Sequence, residues 1–244
     1  KGVPAAQLLP DFFYGTSKKL KPAKHDPEAA KKLLAEAGYP DGREAKSGQP
    51  LVRYLDTTER GPRDKPRLDW YRKQFAKLDV QLEIRGTDYN RFQDKVRKGA
   101  AQIFVWGWNA DYPDPENFLF LFHGAQSRAK FQGENAANYA NPEYDRLFEQ
   151  VKHMENGPAR QALIDRMLAI LREDAPWSFG FHPKDYSLHH DWVANLKPNN
   201  MARKGRVRSR ALRVTSENGR SSACNNRLVQ FTKCARFPSA GPPS

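Results

Sequence analysis

The chain has 244 residues, 39% hydrophobic and 28% charged, enough to bury a real core in one large domain or two small ones. No run of about 18 apolar residues occurs, so no segment reads as a membrane-spanning helix. The net charge is +13, but residues 202–244 hold ten Lys/Arg and one acid, which leaves only +4 on residues 1–201 and argues against a nucleic-acid-binding body.

Both cysteines, Cys224 and Cys234, also lie after residue 201. The body therefore offers no thiol chemistry, no cysteine zinc site and no disulfide framework. The start, KGVPAAQLLPDFF, has neither an initiator Met nor a continuous apolar stretch. It does not read as a signal peptide, and the expectation is a mature form or an internal fragment.

In chain order, residues 1–25 hold Pro4, Pro10 and Pro22 and read as a connecting segment. HDPEAAKKLLAEAGYPDG then reads as a helix. Asp26 is placed to cap it, Pro27 suits its first position, Leu33, Leu34 and Ala37 form its apolar face, and Gly38 ends it. Residues 51–57, LVRYLDT, read as a strand. A helix over about 66–78 follows, with Leu68, Tyr71, Phe75 and Leu78 at helical spacing. VQLEI, residues 80–84, alternates as a strand does. Asp88 caps a third helix with Tyr89, Phe92 and Val96 on one face and Gly99 at its end. AQIFVWGW, residues 101–108, is the next strand, apolar enough for a sheet covered on both faces. This β-α-β-α-β order implies an α/β fold with a mostly parallel sheet flanked by helices.

Asn141-Pro142 opens another helix, with Leu147, Phe148, Val151 and Met154 inward. Pro158 opens one more, to about Glu173, with Leu163, Met167, Ile170 and Leu171 inward. Residues 175–182, APWSFGFH, read as one strand. The charged residues Arg160, Asp165, Arg166 and Arg172 read as a solvated face. From Ala202 the text turns Arg- and Ser-rich without periodicity, a composition expected to be disordered. The expected organisation is thus 1–25 connecting, 26–178 main body, 179–201 a return segment and 202–244 a basic tail.

Five blocks carry a resemblance: DPEAAKKLLAEAGYPDG, KLDVQLEI, GWNADYPDPENF, NYANPEYDRLF and ARQALIDRMLAILREDAPW. In this order and spacing they resemble the family 5 extracellular solute-binding proteins, the peptide receptors of ABC importers. The resemblance spans roughly residues 1–200. It implies the second lobe of a type II periplasmic-binding-protein-like fold, a fragment of a two-lobe protein that closes on its solute about a hinge. It implies a periplasmic or other extracytoplasmic, membrane-associated setting. It further implies a peptide or other small solute as ligand, ABC importer membrane subunits as partners, and no cofactor or reaction. Members close with a strand-bearing segment that the text after Asn200 does not match, as a shifted reading frame near Arg203 would explain.

The same resemblance gives Asp111 a use. In peptide-binding members the Asp three residues after the Trp of this motif holds the peptide α-ammonium group. Trp108 and Asn109 line the same site, and Trp106 is a further member. The residues alone admit a plainer reading, in which Asp111 is a turn former and the tryptophans are core. Asp114 before Pro115 reads as a helix cap. A metal site at His189-His190-Asp191 is disfavoured, because adjacent strand residues point to opposite faces. Asp111 with Asp114 has the form of a glycosidase pair, but no nucleophile motif or phosphate loop accompanies it. The alternative function is binding of nucleic acid or an anionic surface through the basic tail, on charge alone.

Overall fold

The computed structural model describes residues 2–184 and 231–233. The elements are β1 (Gly2–Pro4), α1 (Pro27–Glu36), β2 (Val52–Thr57), α2 (Lys65–Ala76), β3 (Gln81–Gly86), α3 (Tyr89–Arg97) and β4 (Ile103–Trp106). They continue with α4 (Glu116–Leu119), α5 (Arg128–Phe131), α6 (Pro142–Val151), α7 (Pro158–Asp174), β5 (Trp177–Ser178), β6 (Phe181–Pro183) and β7 (Phe231–Lys233).

Helix starts follow side chains that satisfy the free N–H groups of a first turn. Asp26 accepts from the Ala29 amide at 3.0 Å, and Asp88 accepts from the Arg91 amide at 3.0 Å. Asn141 accepts from the Glu143 and Tyr144 amides at 3.0 and 3.1 Å. Gly38 and Gly99 leave the first and third helices at φ +89° and +67°, where a Cβ would be strained.

One sheet has the order β3-β2-β4-β7-β5. β2 pairs in parallel with β3 and β4, while β7 runs antiparallel to β4 and β5. Alternation along β4 shows why that strand is so apolar. Ile103 packs with Leu55, Leu68 and Leu82, on the side covered by α2. Phe104 packs with Phe92, Val96 and Ala101, on the side of α3. Asp56, next to Leu55, is buried and meets Lys95 of α3 at 2.5 Å.

The largest core lies beyond β4. It gathers Phe118, Leu119, Tyr144, Phe148, Ile164, Met167 and Trp177, so α4, α6 and α7 close around it. Leu8, Leu9 and Phe13 are buried in the same core. Part of the opening segment therefore packs into the body, while residues 21–26 are exposed. Each buried side chain contributes roughly 1.5–3 kcal/mol relative to exposure.

Five expectations change. Leu33 is 64% exposed and Tyr89 65% exposed. Leu34 instead carries the inward position of α1, against Leu51 and Val80. Tyr89 is the first residue of α3, a turn ahead of Phe92, the residue that reaches the core. The strand expected to reach Trp108 stops at Trp106. The strand expected over 175–182 is two: Trp177–Ser178 joins the main sheet, and Phe181–Pro183 pairs with β1 in a separate antiparallel ladder. The tail expected to hold no element supplies β7, inserted between β4 and β5. The rest of the tail, the return segment after Lys184, the cysteines and His189-His190-Asp191 lie outside the described residues.

The joint between α4 and α6 rests on one polar contact. Tyr144 is fully buried, and its hydroxyl donates to the Leu119 carbonyl at 2.8 Å. Burial pushes its phenol pKa well above the ordinary value, so it is a neutral donor throughout the working pH range. Tyr144→Phe leaves that carbonyl without this donor. It is expected to lower the stability of the full-length gene product by about 1–2 kcal/mol, read by denaturant unfolding.

Candidate ligand-binding site

Strand β4 delivers the chain to a loop, residues 107–115, before α4 resumes at Glu116. In an open α/β sheet the carboxyl ends of the strands border the crevice where ligands gather. This loop leaves one such end, and three polar anchors define its shape.

The first is Asp114. Its Oδ1 accepts from the Glu116 amide at 2.8 Å, the local cap that the sequence suggests. Both its oxygens also meet the Arg160 guanidinium, at 2.8 Å each. Arg160 was expected on a solvated face and is buried instead, 3% exposed. Two further donors are used as well: Nε reaches the Val151 carbonyl at 3.0 Å and one terminal nitrogen reaches Asn156 at 2.6 Å. A two-point carboxylate contact is the geometry that suits a buried guanidinium.

The second anchor is Asn117, 3% exposed. Its Oδ1 accepts from the Trp108 indole N–H at 3.0 Å and from the Asp111 backbone N–H at 2.9 Å. The third is a contact between the Tyr112 hydroxyl and the Glu116 carboxylate.

Of the four residues expected at the site, this arrangement brings Trp108 and Asp111 together through Asn117. Asn109 and Asp111 are exposed, and Trp108 is half-buried against Phe120, with ring centroids 5.4 Å apart. The Asp111 carboxylate has no hydrogen bond or ion pair among the described residues. Trp106 stands apart from the other three. It packs on Phe92 and Phe104, and the Arg128 guanidinium lies 5.2 Å from its ring centre. Its indole nitrogen is buried and has no acceptor among the described residues. A hollow of about 490 Å³ opens beside the loop, lined by Tyr112, Asp114, Glu116, Lys152, His153 and Arg160 among others. None of the four expected residues lines it.

Sequence reasoning missed Asn117 and Arg160. Asn117 left a trace, a lone amide heading the apolar run NFLFLF. Arg160 left none, since its partner lies 46 residues away.

The family model of the bacterial extracellular solute-binding proteins, family 5 (middle region), matches residues 1–130 of this chain. The chain belongs to that family. Heme-binding protein A of Haemophilus influenzae is 29% identical over 188 residues, covering 75% of this chain and 33% of that protein. Di/tripeptide-binding protein 4 of Pseudomonas aeruginosa is 26% identical over 190 residues, covering 78% and 34%. The periplasmic binding protein DppA of Helicobacter pylori, solved with the peptide STSA, superposes with a TM-score of 0.62. It is 24% identical over 72% of this chain and 32% of its own, a likeness of fold. The family 5 chain described here spans about a third of the length of these relatives. Its fold is a lobe of a type II periplasmic-binding-protein-like architecture, mostly parallel at β2, β3 and β4.

The Asp114–Arg160 pair makes the removal of its two partners unequal. Asp114→Ala strands a buried guanidinium and is expected to cost about 3 kcal/mol. Arg160→Met leaves a carboxylate that water can reach and is expected to cost less. Burial alone would push the Asp114 carboxyl up, but Arg160 and the Glu116 amide outweigh it and hold it below the usual carboxylate range. The folded protein thus binds this proton more weakly than the unfolded chain. The contribution is complete above the ordinary carboxylate pKa of about 3.9 and is lost as pH falls through the lower folded value. Denaturant unfolding of wild type and Asp114→Asn should therefore show a stability gap at neutral pH that narrows in acid.

Proposed function

We propose that this chain supplies one wall of the ligand cleft of an ABC importer's solute-binding protein, and that its cargo is short peptides with a free amino terminus. In this reading Asp111 pairs with the ligand ammonium group, Trp108 and Asn109 line the wall beside it, and Trp106 backs the wall from within the fold. The observation that carries it is the state of Asp111. Its backbone is held, its carboxylate is exposed and unpaired among the described residues, and it sits just past a strand's carboxyl end.

The chemistry follows from desolvation. An exposed carboxylate loses little in water, but one enclosed by a second lobe needs a counter-charge. Breaking such a buried pair costs about 3–5 kcal/mol. A ligand ammonium therefore favours the closed state over the open one, and binding and closure are coupled without any bond made or broken. The β1–β6 ladder supports this organisation, because it pairs Gly2–Pro4 with Phe181–Pro183 in a sheet of their own. Residues 26–178 then form the lobe, with Leu8, Leu9 and Phe13 adding to its core, and residues 179–201 lead back toward the remainder of the protein. Importer membrane subunits are its partners and the periplasm, or another extracytoplasmic space, its setting. No helix among the described residues is long and apolar enough to cross a membrane.

Heme-binding protein A names the competing cargo. Heme presents carboxylates and no ammonium group, so it offers Asp111 no such partner. The experiment is thermal melting of the full-length gene product with short peptides, offered once with free and once with acetylated amino termini. Free peptide at a hundredfold excess over Kd is expected to stabilise by about 2.7 kcal/mol, and the acetylated form by far less. Asp111→Asn should remove the difference. Equal stabilisation by both pools would take the ammonium role from Asp111, and no stabilisation by either would remove peptides as cargo.

A further inference from the structure

Asn117 is a polar residue where the sequence is otherwise apolar, followed by Phe118, Leu119, Phe120, Leu121 and Phe122. A buried amide is costly unless its hydrogen bonds are made. Here they are made within the same loop. The atom between the Trp108 indole and the Asp111 amide has to be the side-chain oxygen, because both neighbours are donors only.

One side-chain oxygen therefore ties two residues of the loop: the ring of Trp108 and the backbone of Asp111. The clasp is itself anchored. The Asn117 amide donates to the Asp114 carbonyl at 3.1 Å, and the Asp114 side chain is held by buried Arg160. Fixing the Asp111 backbone leaves its carboxylate only its own side-chain rotations.

We propose that Asn117 is the positioning residue of the ligand site, holding the Asp111 carboxylate and the Trp108 ring in one arrangement before ligand arrives. This rests on the ammonium reading of Asp111. Asn117 touches no ligand; it acts by removing the freedom that binding would otherwise have to remove. Its effect should fall on ligands with a free ammonium and spare those without one.

The test uses the full-length gene product, calorimetry with one short peptide in free and N-acetylated forms, and hydrogen exchange at the Asp111 amide. Asn117→Leu keeps volume and removes the acceptor. It is expected to weaken the free peptide by about tenfold, as loss of a buried hydrogen-bond partner does, leave the acetylated peptide unchanged and speed exchange at Asp111. Asn117→Gln keeps an uncharged amide oxygen for the two donors and should recover both readouts in part. If Asn117→Leu does not fold, Asn117→Ser gives the same comparison with a side chain too short to reach both donors. Equal weakening of both peptides would mean a structural role only and would overturn the proposal. So would unchanged discrimination with unchanged exchange. A wild type that does not discriminate between the peptides overturns the ammonium reading and, with it, this role, whatever Asn117→Leu does to exchange.

Discussion

A buried guanidinium needs acceptors on every side, and Arg160 draws the site's framework together to supply them. It takes a carbonyl from the end of α6, an amide from the turn before α7 and both oxygens of Asp114. Two of these sources lie within nine residues of Arg160, and Asp114 lies 46 residues away. Because the cation cannot be left unsatisfied, the loop after β4 has one stable seat against the helical core. Tyr14 adds to the same joint: its hydroxyl donates to the Gly157 carbonyl and accepts from the Gly157 amide, and its ring lies 5.9 Å from the guanidinium carbon.

From that seat the rest of the loop can be specified by short-range contacts. Asp114 starts α4, α4 presents Asn117, and Asn117 reaches back to Trp108 and Asp111. The result is an exposed carboxylate after the end of β4, on a backbone tied at its amide. A site built on rigid elements in this way loses less entropy when it binds. The sheet beneath contributes by being covered on both faces, with Ile103 and Phe104 dividing β4 between two apolar clusters.

Much of this was legible in the sequence, for physical reasons that act locally. Caps at Asp26, Asp88 and Asn141, and glycine exits at Gly38 and Gly99, are decided within a few residues, and the structure has them. The β-α-β-α-β order is likewise readable from pattern. What failed depended on distance. Arg160 looks like any charged residue of a helix face until Asp114 is placed beside it. Leu33 and Tyr89 are apolar on helical spacing, yet only the final orientation of each helix decides which side chain turns inward. The strand β7 has no periodicity of its own. Its place comes from the slot between β4 and β5, which three residues of almost any extended sequence can pair with through the backbone.

A crystal structure of the full-length gene product bound to a short peptide with a free amino terminus tests the account most directly. The account places the peptide ammonium within hydrogen-bonding distance of the Asp111 carboxylate, with the Asn117 oxygen still between the Trp108 indole and the Asp111 amide. A peptide whose ammonium pairs elsewhere, with Asp111 left facing bulk water, would contradict it.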